Sequence, residues 1–88
     1  PSPDGSRPGI YYVNLYDMAD MPNTEVEALA FHEGVPGHHL DGSVTGQLKD
    51  LPAIRRFGGF TAWSEGWGLY SEKLAKDMGF YTDPYRDF

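Results

Sequence analysis

The sequence predicts a mainly α protein, in which one short N-terminal β-strand precedes two main helices and the first helix is broken at Pro36-Gly37. Three observations lead there. Residues 24–35 open with a helix-start signature, residues 61–78 carry an apolar helical rhythm, and residues 10–16 are dense in aromatic and β-branched side chains.

Residues 1–9, PSPDGSRPG, hold three prolines and two glycines and read as turns throughout. The strand is IYYVNLY, residues 10–16; alternation sends Ile10, Tyr12, Asn14 and Tyr16 to one face. A single strand needs a partner, so it is expected to pair with further chain or pack on a helix. Thr24-Glu25-Val26-Glu27 fits a capping box, in which the Thr24 hydroxyl and the Glu27 carboxylate satisfy orphan amides reciprocally. From Glu25 the helix runs to about Val35, stops at Pro36-Gly37, and resumes from His38 towards Lys49, weakened by Gly42 and Gly46. Residues 50–59 connect, with one helical turn at most. The second main helix, 61–78, has Gly79 as its cap, and its apolar residues Trp63, Trp67, Leu74 and Met78, with Tyr70 beside them, follow the i, i+3/i+4 rhythm of a helix. The tail 79–88 returns to turn and loop.

Composition narrows the function. The 88 residues include no cysteine, so neither a disulfide framework nor a thiolate metal site is available. Seven basic residues against thirteen acidic ones, net −6, argue against nucleic acid or an anionic membrane as partner. No apolar run reaches the roughly 20 residues of a membrane span. Beginning at Pro-Ser-Pro-Asp without an initiator Met, residues 1–88 read as a single segment of a larger protein.

All three histidines fall within F-H-E-G-V-P-G-H-H-L, residues 31–40. A His-Glu step inside a helix opens the zincin motif, in which the histidine binds zinc and the glutamate activates water. The second histidine of that motif normally stands at i+4, but here that position is Pro36. In an ideal helix His38 would point about 120° away from His32, and His39 would lie about 10.5 Å further along the axis. The proline-glycine step breaks that ideal. A local bulge of two residues would put His38 where i+4 belongs, so His38 is favoured as second ligand, with His39 as the alternative. The histidine that is not a ligand is expected to support one or to touch substrate.

A catalytic zinc site uses three protein ligands and leaves a fourth position open. Among the downstream carboxylates, Glu65 is the best third ligand, because Gly66 and Gly68 beside it permit close approach of another backbone. Glu72, seven residues on and nearly on the same face, is placed to orient a ligand histidine.

HEGVPGHH (32–39), LPAIRR (51–56), EGWGLYSEKL (65–74) and YTDPY (81–85), with RPGIYYVN (7–14) upstream, together resemble the bacterial family known as domain of unknown function eight-eight-five. Its members carry His-Glu-x-x-Pro-Gly-His-His and Glu-Gly-Trp-Ala-Leu-Tyr and are regarded as zinc peptidases. The resemblance covers nearly the whole chain. It implies a gluzincin-like, mainly helical metallopeptidase of which this segment is the metal-binding core, with His32, His38 and Glu65 holding Zn2+ and Glu33 as general base. Two positions depart from the pattern: Leu40-Asp41 follows the histidine pair where Leu-Gln is usual, and Gly68 stands where Ala is usual.

The function expected is therefore zinc-dependent hydrolysis of a peptide substrate, by a segment inactive without the remainder of the parent chain. Tyr70, Tyr11 and Tyr12 are candidates to stabilise the oxyanion, Tyr70 foremost. The strand could pair with extended substrate, and Arg55 or Arg56 could hold a substrate carboxylate. The competing expectation is a metal-binding or protein-interaction fragment without catalysis, presenting the aromatic face Trp63-Trp67-Tyr70.

Overall fold

The computed structural model describes residues 1–86. A single 3-10 turn, Met18–Asp20, precedes helices α1 (Val26–Glu33), α2 (His38–Gln47), α3 (Ala53–Phe57) and α4 (Thr61–Asp77). The class is mainly α, as expected, and the break in the first main helix falls at Pro36-Gly37.

The expected strand is absent among the described residues. Residues 10–16 are irregular; Tyr16 is fully exposed and its amide donates back to Asn14 Oδ1 at 3.0 Å. Aromatic and β-branched residues make a strand only against a partner edge, and no described segment lies alongside to provide one. The capping box does not form either. Glu25 enters α1 already in helical conformation (φ −100°, ψ −12°), after a turn in which its amide donates to the Pro22 carbonyl. A side-chain cap needs an extended residue at that point. The Glu27 carboxylate instead faces Arg86, 3.4 Å from Nη1.

The interior is assembled by small residues. α4 packs mainly on α1, and its buried positions are Gly68, Ser71 and Ala75, one stripe at i, i+3, i+7. The apolar stripe of α4 is divided: Trp63 is 68% and Met78 57% exposed, whereas Trp67 and Leu74 are half-buried. Ser71 satisfies itself within the helix, its hydroxyl donating to the Trp67 carbonyl at 2.8 Å. α4 ends as expected at Gly79, whose φ of +78° suits a residue without Cβ. The amide of Gly79 donates to Lys76 and that of Phe80 to Ala75, the paired bonds of a Schellman cap. Beyond the cap the chain folds over α1, with Phe31 against Phe80 at 5.9 Å and Tyr81 at 5.3 Å between ring centroids. Of the expected 79–88 tail, residues 87 and 88 lie outside the described residues. No described helix is long and apolar enough to cross a membrane.

Candidate metal centre

The histidines are brought together by the way the chain turns between α1 and α2. α1 closes at Gly34, whose amide donates to Ala30 at 2.9 Å, and Val35–Pro36 is a cis peptide. Gly37 is buried, so near the end of α1 that a Cβ added there would stand 1.8 Å from the His32 carbonyl oxygen. α2 then starts at His38. The turn is thus a redirection between two helices, not a two-residue bulge within one. From α4, the Trp67 indole N–H holds it in place, donating to the carbonyl of Pro36 at 2.9 Å and of Gly37 at 3.3 Å. Trp67→Phe keeps an aromatic six-membered ring but removes the pyrrole part of the indole, and with it this donor, from a half-buried turn. The expected cost is about 1 kcal/mol, read as a fall of roughly 4–8 °C in the thermal midpoint.

With the turn so folded, the rings of His32 and His38 meet edge to face, centroids 4.7 Å apart. Ligand atoms of His32, Glu33 and His38 all lie within 4.8 Å of one another, so this group could hold a metal ion. Glu65, from the second turn of α4, spans the two imidazoles: Oε2 is 3.2 Å from His32 Nε2 and Oε1 3.7 Å from His38 Nε2. Donors arranged tetrahedrally at 2.0–2.1 Å from a zinc ion stand about 3.3–3.4 Å from each other. The His32–Glu65 separation is close to that and the His38–Glu65 separation, to the other carboxylate oxygen, is longer; a donor set of two imidazoles and a carboxylate suits zinc or iron(II).

His32 is the most constrained member. Its side chain is 12% exposed, and its Nδ1 lies 2.6 Å from Glu72 Oε1. Glu72 therefore takes the orienting place that its spacing from Glu65 suggests, fixing the ring so that Nε2 faces Glu65. A Cβ added at Gly68 would stand 2.5 Å from this ring, so α4 runs flush against the imidazole. Burial works against the charged form of His32, but the hydrogen bond and charge of Glu72, the hydrogen bond to Glu65 and the charge of Glu33 outweigh it. The net shift is upward from the ordinary 6.5. Carboxylates only accept, so the metal-free ring is drawn towards imidazolium, and a metal ion entering at Nε2 displaces a proton.

Glu72→Gln tests this link. The substitution is expected to lower metal affinity about 10–100-fold, measured by competition with a chelator dye. In the metal-free protein, a raised histidine pKa contributes stability that is fully present below pH 6.5 and fades as pH rises through the folded value. The gap in thermal midpoint between wild type and Glu72→Gln is therefore expected to narrow from pH 6 to pH 9.

The remaining sequence candidates are not members of this cluster. His39 lies against Gly9, where an added Cβ would be 2.6 Å from its Nδ1, and lines the same cleft as Glu33 and His38. Tyr70 stands five residues beyond Glu65, about 140° round the helix; it is half-exposed and packs on Trp67, ring centroids 5.7 Å apart. Arg56 donates from Nη2 to the Gly46 carbonyl at 2.7 Å, finishing the C-terminal end of α2, while Arg55 is exposed on α3. Tyr11 and Tyr12 border a cleft of about 700 Å³ whose wall also carries Leu29, Glu33, His38 and His39. Two residues have parts here that the sequence reading does not assign: Trp67 pins the turn and Gly37 allows it, although both lie within the quoted motifs, EGWGLYSEKL and HEGVPGHH.

Fold and cluster together define a helical protein with a histidine–glutamate group able to hold a metal ion. A family model described as "Bacterial protein of unknown function (DUF885)" matches residues 1–88, the whole chain, and the chain belongs to that family. No curated protein and no solved structure matches it.

Proposed function

We propose that this chain carries the catalytic centre of a zinc-dependent peptidase. The observation that carries the reading is the convergence of His32, His38 and Glu65 around one point, with Glu33 beside them on a cleft. His32, His38 and Glu65 would hold the ion, and Glu33 would remain free to act as base. A zinc ion there would supply a Lewis acid, bringing the pKa of a water towards neutrality and polarising a carbonyl. Glu33 takes one proton from the attacking water as its oxygen bonds to the peptide carbon, then delivers that proton to the amine as the C–N bond breaks. Glu72 keeps the His32 ring in the orientation that leaves Nε2 towards the centre. The substrate, a peptide, lies in the cleft beside Glu33.

The test is metal analysis by mass spectrometry after dialysis against a weak chelator, followed by assay on a peptide library. One zinc per chain and zinc-restorable cleavage support the reading; iron in place of zinc, or no metal, would sink it. A second reading, a protein-interaction segment without catalysis, is favoured by the exposed aromatic face of Phe60, Trp63 and Tyr70. Folding and partner capture that persist without metal, with no cleavage of any peptide, would establish it instead.

A further inference from the structure

The third histidine is outside the metal cluster, yet it lies on the same cleft. His39 shares the cleft wall with Glu33 and His38. It is exposed, and among the described residues its ring has no hydrogen-bond partner. The ring lies against Gly9, where a Cβ would be 2.6 Å from Nδ1 and 3.0 Å from Cε1, so a larger residue there would require the imidazole to move. His39 also sits in the first turn of α2, one residue from His38, and so shares the rigid mounting of the metal cluster.

A hydrolytic centre of the proposed kind needs a donor aimed at the carbonyl oxygen, where negative charge develops as water adds. The other candidates are less well placed. Tyr70 stands about 140° round α4 from Glu65, Arg56 donates to the Gly46 carbonyl, and Tyr11 and Tyr12 lie outside any helix, whereas His39 is mounted on α2 beside His38. We propose that His39 is the substrate-facing donor of this site, its imidazole N–H hydrogen-bonding the oxygen of the scissile carbonyl, with Gly9 holding the ring in place. A neutral imidazole suffices, since one of its nitrogens always carries a proton. The proposal rests on the peptidase reading above and adds to it the group that distinguishes the tetrahedral state from the bound peptide.

The test uses the zinc-loaded protein and two probes followed by calorimetry. A phosphinic tripeptide mimics the tetrahedral state, and acetohydroxamate reports the metal alone. His39→Ala is expected to keep one zinc per chain and its acetohydroxamate affinity, while phosphinic-peptide affinity falls at least about tenfold. His39→Asn, which restores an N–H donor, should recover part of the loss. Gly9→Val should weaken the phosphinic peptide in wild type but have no further effect when His39 is already alanine. Unchanged phosphinic-peptide affinity in His39→Ala overturns the assignment while leaving the metal reading intact, as does a loss confined to Tyr11→Phe or Tyr12→Phe. Loss of zinc in His39→Ala overturns it by making His39 a ligand. Absence of zinc in the wild-type protein overturns the peptidase reading itself, and this proposal with it.

Discussion

Glu33→Gln is expected to keep one zinc ion per chain and to lower peptide hydrolysis about 10²–10⁴-fold, whereas Glu65→Gln is expected to lose the ion. The two glutamates compete for the same role on distance alone, since a Glu33 oxygen lies within 4.8 Å of the histidine ligand atoms. Chain direction separates them. Glu33 follows His32 on one helix, and adjacent side chains diverge by about 100°, so both cannot turn inward along the same line. Glu65 arrives from a different helix and offers one oxygen to each imidazole. It is more exposed than the histidines, but its two oxygens already span the gap between them. Metal content by mass spectrometry and turnover on a cleavable peptide, measured on both variants, check the assignment. An ion lost in Glu33→Gln and retained in Glu65→Gln would exchange the two roles.

Gly37→Ala is expected to destabilise the protein by about 3 kcal/mol or more and to cost it the metal site, although no ligand is touched. The new methyl carbon would stand 1.8 Å from the carbonyl oxygen of His32 and 2.4 Å from that of Phe31. Both are backbone atoms of the last turn of α1, so relief requires that turn, or the whole redirection into α2, to move. The indole of Trp67 would lose its two acceptors at the same stroke. Gly42 is the internal control: it lies in α2 with nothing within 4 Å of an added Cβ. Gly42→Ala should stabilise by up to about 1 kcal/mol through helix propensity alone. Thermal melts of the two variants, with bound metal counted, should therefore move in opposite directions.

Much of this arrangement is legible in the residues, and the failures have definite causes. The break at Pro36-Gly37 and the cap at Gly79 follow from local backbone chemistry, which acts wherever the residue sits. The pairing of His32 with Glu72 was suggested by a seven-residue spacing from Glu65 on one helix face. Residues 10–16 form no strand because strand propensity describes a partnered surface, and no described segment pairs with them. Thr24 misled because a capping box presumes an extended entry to the helix, whereas the chain arrives through a turn. Apolar periodicity marks Trp63, Trp67, Leu74 and Met78, of which Trp67 and Leu74 are half-buried, yet the fully buried stripe of α4 is Gly68, Ser71 and Ala75. Small residues add little to a hydrophobic pattern; their effect is to let two backbones draw close, which becomes visible only when the opposing helix is present. Here what presses into that space is an imidazole.

Such a thin interior gives the ion a second consequence. Ala75 is the one fully buried hydrophobic side chain among the described residues. The site, however, joins positions 33 residues apart in the chain, His32 and Glu65. A ligated ion across that span would act as a covalent clasp does, restricting the unfolded chain by an amount on the order of 3–4 kcal/mol. On the proposed reading, these residues should resist a protease longer with the ion bound than after its removal by a chelator.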